Sequence, residues 1–216
     1  MTRNVDDRHS PRGVNTSAPI EFHFDFSSPY SYIASEQIDQ LAARHGRSVV
    51  YKPVLLGAVF KVAGSAPLTE SCAPKARYSV HDFGRSARFA GVPYRHPSRF
   101  PIGSVSDKRA VLWLQQHQPE MTAPFVHAVF RAFFVDDRDI SDAAVIAAIA
   151  REVGIDADEL ATGIQQPQIK EALKTQVDQA IQSGVFGAPT IVVDGEVFWG
   201  NDRLPQIERW LASGPF

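Results

Sequence analysis

The chain has 216 residues, a length that suits one domain or one domain carrying an insertion. Apolar residues make up 44% and charged residues 21%, which is enough apolar material for a sizeable core and excludes wholesale disorder. The 22 basic and 24 acidic residues leave a formal charge of −2, so no basic surplus indicates nucleic acid or an anionic membrane surface. The single cysteine, Cys72, excludes an internal disulfide, a CxxC redox pair and a cysteine-based zinc site.

The first segment, residues 1–18, is polar and is broken by Pro11 and Gly13. It lacks the apolar stretch of a signal peptide, and no run in the chain approaches the roughly 18–20 apolar residues of a membrane span. We therefore expect a flexible tail on a cytoplasmic protein.

A β-α-β unit is predicted directly after this segment. Residues 20–26 alternate apolar and polar side chains, as a strand does. Ser28 and Pro29 follow, and proline is favoured at the first position of a helix. Apolar residues then recur at helical spacing until Gly46, and residues 49–55 form a second apolar run. Such units are right-handed with parallel strands.

Residues 72–183 show helical patterns, and no strand is predicted there. An apolar stripe of phenylalanine and valine over residues 125–134 is typical of a helix that packs in a core. Ser141 is the predicted cap of a helix that runs to Gly154.

The end of the chain predicts a hairpin and a helix. Residues 190–193 and 196–199 flank Asp194 and Gly195, a pair typical of a tight β-turn. A last helix follows, and Asn201 or Asp202 is its predicted cap.

The order β-α-β, helices, β-β-α is that of an α/β protein with a thioredoxin-like fold and a large all-helical insertion. We assign residues 19–70 and 184–216 to the thioredoxin-like domain and residues 71–183 to the insertion. Gly187-Ala188-Pro189-Thr190 stands where thioredoxin-like proteins place a cis-proline, so we predict a cis bond before Pro189, close to Ser28. Ser28-Pro29-Tyr30-Ser31 stands where redox members have Cys-x-x-Cys.

Four segments carry a more specific resemblance: FDFSSPYSYIA, PVLLGAVFK, GVPYRHPSRFP and GVFGAPTIVVDGEVFWGNDRL. In this order and spacing they make the chain, from about residue 20 to 211, similar to the glutathione-dependent 2-hydroxychromene-2-carboxylate isomerases. These are relatives of the kappa-class glutathione transferases in the DsbA-like group. The resemblance implies glutathione as cofactor, a small aromatic-derived acid as substrate, and a homodimer.

The resemblance also implies how glutathione would be held at the first helix. Ser28 stands at the position of the family's catalytic serine, where its hydroxyl and the helix N-terminus would favour the thiolate of glutathione. Pro29 and Tyr30 belong to the same site. In the loop, the Ala188 backbone, next to Pro189, would pair with the cysteinyl amide of glutathione. The alternative for Ser28 is that it only caps a helix.

Further residues are implied at the two ends of the site. Asn201 and Asp202 match the pair that holds the γ-glutamyl end, although both could simply cap the last helix. Lys61 would face a carboxylate of glutathione or substrate, although an ordinary lysine is solvent-exposed. The family usually has an asparagine where this chain has Ser65, which shortens the reach there. Phe100 stands where an aromatic residue, often tyrosine, lines the substrate pocket, and it would stack on a ring without donating.

These residues predict a glutathione-dependent cis–trans isomerase of the 2-hydroxychromene-2-carboxylate type, with the thiolate activated by Ser28. One alternative is a kappa-class-like transferase or peroxidase that consumes glutathione. The other is a non-catalytic DsbA-like module that binds glutathione or a peptide. The seven histidines show no metal-ligand spacing, so no metal is expected.

Overall fold

The computed structural model describes residues 18–70 and 72–216, and most of the predicted tail lies outside them. Four strands form one sheet in the order β2-β1-β3-β4. β1 and β2 are parallel, β3 is antiparallel to β1, and β4 is antiparallel to β3. The strands are β1 Ile20–Phe24, β2 Val49–Pro53, β3 Thr190–Val193 and β4 Glu196–Trp199.

Helices connect and cover the sheet. They are α1 Pro29–Arg44, α2 Leu56–Ala63, α3 Ala73–Ala90, α4 Ser106–His117, α5 Thr122–Phe134, α6 Ala143–Glu152, α7 Ala157–Gly163, α8 Pro167–Gln182 and α9 Leu204–Ser213. Helices and turns, without a strand, occupy the described residues between β2 and β3. The predicted α/β class and thioredoxin-like order with a helical insertion are confirmed. The domain boundaries at residues 70 and 184 stay a prediction.

The chain leaves the first two strands earlier than predicted. β1 ends at Phe24 because Asp25 forms a turn, in which its backbone oxygen accepts from the Ser28 N–H at 2.9 Å. β2 ends at Pro53, and the predicted strand residues Val54 and Leu55 instead form the connection to α2.

Two predicted helix caps are wrong. Asp142, not Ser141, caps α6, because its carboxylate accepts from the Ala144 N–H at 2.8 Å. Neither Asn201 nor Asp202 caps α9 through its side chain, since both lie in a 3₁₀ turn, Asn201–Arg203, that precedes it. The backbone of this turn satisfies N–H groups that a side-chain cap would otherwise take.

The core joins the sheet to α5. The apolar stripe of this helix is buried, as predicted, and the Phe130 ring lies 5.6 Å from Phe24 and 4.9 Å from Phe26 between centroids. At another contact α7 meets α4, where Gly163 faces the Trp113 indole. A Cβ at Gly163 would lie 2.1 Å from Trp113 Nε1, so only glycine allows this approach.

A polar cluster fastens α5 to α1 and β2. His127 Nε2 lies 2.7 Å from Asp39 Oδ2, and the Tyr51 hydroxyl donates to the same oxygen at 2.7 Å. Burial by itself would lower the pKa of His127, but hydrogen bonds and charge from Asp39 and Glu36 outweigh burial and raise this pKa to about 9. The cluster therefore carries a cationic His127 at neutral pH.

None of the helices in residues 18–70 and 72–216 is both long and apolar enough to span a membrane.

Candidate active site

Ser28 stands at the N-terminus of α1 and makes two hydrogen bonds through its hydroxyl. The oxygen accepts from the Ser31 N–H at 3.1 Å, which is the bond of a helix N-cap. The hydroxyl donates to the Ala188 carbonyl oxygen at 3.0 Å. The Tyr32 N–H bonds to the Ser28 backbone oxygen, and Pro29 has no N–H, so the Tyr30 N–H is the first-turn donor without a partner among the described residues. Ser28 is thus a cap, and its hydroxyl also faces the loop that precedes β3.

The loop before β3 has the predicted backbone. The Ala188–Pro189 bond is cis, and Ala188 contacts Ser28 through the hydrogen bond above, so this prediction is confirmed. The loop is held from both sides: the Thr190 hydroxyl donates to the Gly187 oxygen at 2.8 Å, and the Gly200 N–H donates to the Pro189 oxygen at 3.0 Å.

A cavity of about 670 Å³ opens beside Ser28, within the size range of small-molecule sites. Its walls come from the first turn of α1, from α2 and the segment after it, from the loop before β3, and from the segment before α4. The predicted site residues that line it are Ser28, Pro29, Tyr30, Lys61, Ser65, Phe100 and Ala188. Seven residues chosen from distant segments therefore share one cavity.

The substrate-side residues lie on different walls. Lys61 is in the last turn of α2 and is exposed, and Ser65 follows just after the end of this helix. Phe100 is half-buried in the segment between α3 and α4, and its ring centroid lies 6.0 Å from that of Phe83 and 5.0 Å from that of His96. The cavity therefore combines an exposed lysine side chain with an aromatic wall.

Tyr30 lines the cavity with its phenol already engaged. Its hydroxyl donates to Asp82 Oδ2 at 2.6 Å, across to α3. Burial and this hydrogen bond raise the pKa of Tyr30, so the phenol stays neutral. The Tyr30 ring can pack against a ligand, but its hydroxyl proton is already donated to Asp82.

The structure does not bring Asn201 and Asp202 into this cavity. They line a separate groove of about 780 Å³ that runs along α1 and α3, and Phe89 of α3 is part of its lining. Asp202 pairs with Arg203 at 2.8 Å. The two linings are connected through the backbone, where the Gly200 N–H, next to Asn201, donates to the Pro189 oxygen, and through Asp82, which accepts from Tyr30 of the cavity and Arg85 of the groove. Pro189 itself is buried behind the cavity wall.

Three charged residues of the cavity lining were not predicted from the sequence: Asp25, Glu70 and Lys108. Asp25 and Lys108 both line the cavity, and Lys108 Nζ lies 3.1 Å from Asp25 Oδ1. A signal existed for Asp25, since an aspartate just before a helix start often accepts from the backbone N–H two residues on, here that of Ser27, in an Asx turn. The sequence signal for Lys108 was weaker: at helical spacing Lys108 shares a face of α4 with the buried Val111 and Leu112, which indicates a buried lysine.

The ammonium of Lys108 is held in a closed polar cluster. Its side chain is 1% exposed, and its Nζ donates to the Ser104 backbone oxygen at 3.0 Å. Asp107, the neighbouring residue, is fully buried, and burial raises the pKa of its carboxyl. Burial opposes the charge on Lys108, but Asp107 and Asp25 outweigh it, so the pKa of Lys108 is raised and the ammonium stays charged.

A serine at a helix N-terminus, opposite a cis-proline loop in a thioredoxin-like sheet, defines a DsbA-type site without its redox cysteines. Comparison with known proteins agrees: a family model of the DSBA-like thioredoxin domain matches residues 19–212. The chain is 34% identical over 195 residues to a 2-hydroxychromene-2-carboxylate isomerase of Sphingobium xenophagum, covering 90% of this chain and 98% of that protein. The chain therefore belongs to the 2-hydroxychromene-2-carboxylate isomerase family of DsbA-like proteins.

Two further relatives fit this assignment. A Glutathione s-transferase kappa 2 of Caenorhabditis elegans is 27% identical over 209 residues, covering 91% of this chain and 92% of that protein. A solved structure of a 2-hydroxychromene-2-carboxylate isomerase superimposes with a TM-score of 0.81 at 26% identity, covering 90% of this chain and 95% of that one. The relatives therefore include both isomerases and a glutathione transferase by name.

Proposed function

We propose that this protein is a glutathione-dependent cis–trans isomerase acting on a 2-hydroxychromene-2-carboxylate or a similar aromatic-derived acid. The observation that carries the proposal is the shared cavity, in which Ser28, Lys61 and Phe100 meet. The 34% identity to an isomerase of that name over nearly the full length of both chains supports it.

The residues around Ser28 suit the thiol end of glutathione. When bound, glutathione would supply a thiol that adds reversibly to a conjugated substrate and so permits rotation about a single bond. Ser28 would turn its hydroxyl from the Ala188 oxygen toward the sulfur, which frees that oxygen for the cysteinyl amide. The Tyr30 N–H, which has no partner among the described residues, and the α1 N-terminus add positive potential at the same place. Asn201 and Asp202 remain the proposed contacts of the γ-glutamyl end.

The remaining cavity residues suit an aromatic acid. Lys61 and Lys108 are the cations among the described lining residues, and Lys108 is already paired with Asp25. Lys61 would therefore bind the substrate carboxylate, while Phe100 would stack on the ring. Ser65 would add a short hydrogen bond near Lys61.

The direct test is to incubate the purified protein with a hydroxychromene-carboxylate and to follow its isomerisation with and without glutathione. We expect turnover that requires glutathione and leaves its concentration unchanged. Lys61→Met should raise the KM for the acid about tenfold, because a charge-assisted contact is lost. Lys174→Met is the matched control, since Lys174 is an exposed lysine of α8 away from the cavity lining, and we expect it to behave as wild type.

Other outcomes would replace the proposal. Consumption of glutathione with a generic electrophile, without isomerisation, would indicate the kappa-type transferase that the Caenorhabditis elegans relative makes the second candidate. Binding of glutathione without turnover of either kind would indicate a non-catalytic module.

We also infer a homodimer in the cytoplasm, supported by the family resemblance. Light scattering on the purified chain would give the mass of the assembly, and a mass of 23.8 kDa, that of one chain, would contradict the dimer.

A further inference from the structure

Asp25 connects two walls of the cavity through one carboxylate. Oδ1 accepts from the Ser27 N–H at 2.8 Å, in the turn that leads into Ser28. Oδ2 accepts from the Leu56 N–H at 2.9 Å, at the first residue of α2. The residue before this helix, Leu55, has no side-chain acceptor, so Asp25 takes the place of its cap from a distant strand end.

Lys108 fastens a third wall to the same carboxylate. It projects from α4, and its Nζ lies 3.1 Å from Asp25 Oδ1. The Asp25 side chain is 7% exposed, and a buried ion pair of this kind contributes little net stability compared with apolar packing. Breaking it by removal of one partner is costly, because a buried charge is left without compensation.

We propose that Asp25 and Lys108 are positioning residues that fix Ser28 relative to Lys61, an inference that rests on the proposed function of the cavity. Asp25 holds the Ser28 turn and the start of the Lys61 helix at a set separation. Lys108 balances the Asp25 charge, so that a sulfur beside Ser28 meets no uncompensated anion. Neither residue is assigned a proton transfer or a contact with the reacting atoms.

A thiol placed at position 28 reports on this pair without glutathione. Cys72 is the one cysteine of the chain, so Ser28→Cys in a Cys72→Ser background contains a single thiol, called here the introduced thiol. Ultraviolet absorbance of the thiolate against pH gives its pKa. The charged or titratable described residues that line the cavity with it are Asp25, Tyr30, Lys61, Glu70 and Lys108, and Asp107 contacts Lys108.

The two substitutions should move the pKa of the introduced thiol in opposite directions. Asp25→Asn removes one of the two carboxylates that face the Lys108 ammonium and should lower it by about one unit, whereas Lys108→Met removes the positive charge beside both carboxylates and should raise it by about one unit. A role in folding alone would not produce opposite signs. Equal signs, or shifts below about 0.2 unit in folded variants, would overturn the proposal.

Two further variants complete the test. Asp194→Asn is the matched control, because it breaks an ion pair with the buried Arg47 outside the cavity lining, and the pKa of the introduced thiol should stay unchanged. If a single variant does not fold, Asp25→Asn with Lys108→Met removes both charges. The pKa of the introduced thiol should then equal that of the parent, and a shift of about a unit or more would count against charge balance.

The effect of Asp25 on the positions of Ser28 and Lys61 is measured by enzyme activity in a chain that retains Ser28. Asp25→Asn should lower kcat roughly tenfold or more and should also raise the KM for the acid, because Ser28 and Lys61 lose their common anchor. Unchanged kcat and KM in the folded variant would overturn the proposal. Failure of the wild-type chain to bind glutathione would instead defeat the proposed function, and titration of the introduced thiol would still decide the role of the pair.

Discussion

Substituting Ser28 by alanine removes a hydroxyl that accepts one hydrogen bond and donates another. Loss of the accepted bond affects the stability of the protein, and loss of the donor affects the pKa of the bound thiol, so the two effects can be measured separately. Loss of the N-cap bond from the Ser31 N–H should lower the free energy of unfolding by about 1 kcal/mol. Loss of the donor affects the bound thiolate, a charged acceptor whose hydrogen bond contributes roughly 1.5–3 kcal/mol. At about 1.36 kcal/mol per pKa unit, the pKa of bound glutathione should rise by about one to two units.

The expected consequence is a pH-dependent loss of activity. Near neutral pH the Ser28→Ala variant should be about ten- to a few-hundred-fold slower, and higher pH should restore part of the rate, because more thiolate forms unaided. Activity should not vanish, since the α1 N-terminus and the Tyr30 N–H remain. Glutathione should still bind through Ala188, Asn201 and Asp202.

The deciding assay is a pH titration of thiolate absorbance in the glutathione complex. Asp142→Ala is the matched control, because it removes the side-chain cap of α6 and should cost similar stability without moving the thiol pKa. If wild type and Ser28→Ala titrate together, then Ser28 is only a cap.

Four other substitutions test the binding groove, the polar cluster of His127 and the packing. Asp202→Ala should raise the KM for glutathione several-fold and leave kcat nearly unchanged, and a large loss of kcat at saturation would count against its assignment to the γ-glutamyl end. His127→Gln should lower the free energy of unfolding at pH 6, because the ion pairs of His127 with Asp39 and Glu36 are lost. We expect only about 1–2 kcal/mol, because these pairs are partly exposed and solvent weakens them. The folded pKa of about 9 exceeds the usual 6.5, so this contribution is complete below about pH 6.5 and is lost as the pH rises through 9; denaturant melts that differ equally at pH 6 and pH 10 would refute it. Gly163→Ala should destabilise by about 1–3 kcal/mol despite the better helix propensity of alanine. In contrast, Gly57→Ala, whose Cβ would meet nothing within 4 Å, should be neutral or stabilising by up to about 1 kcal/mol.

The order of the elements could be predicted from local patterns because each pattern reports its own stretch of chain. Alternation gave β1, the Asp194-Gly195 pair gave the β3–β4 hairpin, and the residues around Ser28 and Pro189 gave a DsbA-like site. Boundaries were less predictable. Val54 and Leu55, which lie between β2 and α2, were taken for the end of a strand, because a short apolar run has no decisive period.

Local sequence patterns predicted the α/β class, the family resemblance and the short list of residues around Ser28. The folded structure shows which of those residues share a cavity: Lys61 and Phe100 lie beside Ser28, while Asn201 and Asp202 lie in a neighbouring groove. It also revealed the Asp25–Lys108 pair. The physical reason is that a lysine pattern in α4 reports only the local helix face, whereas the burial and pairing of its ammonium depend on a carboxylate 83 positions earlier in the chain, the difference between 108 and 25.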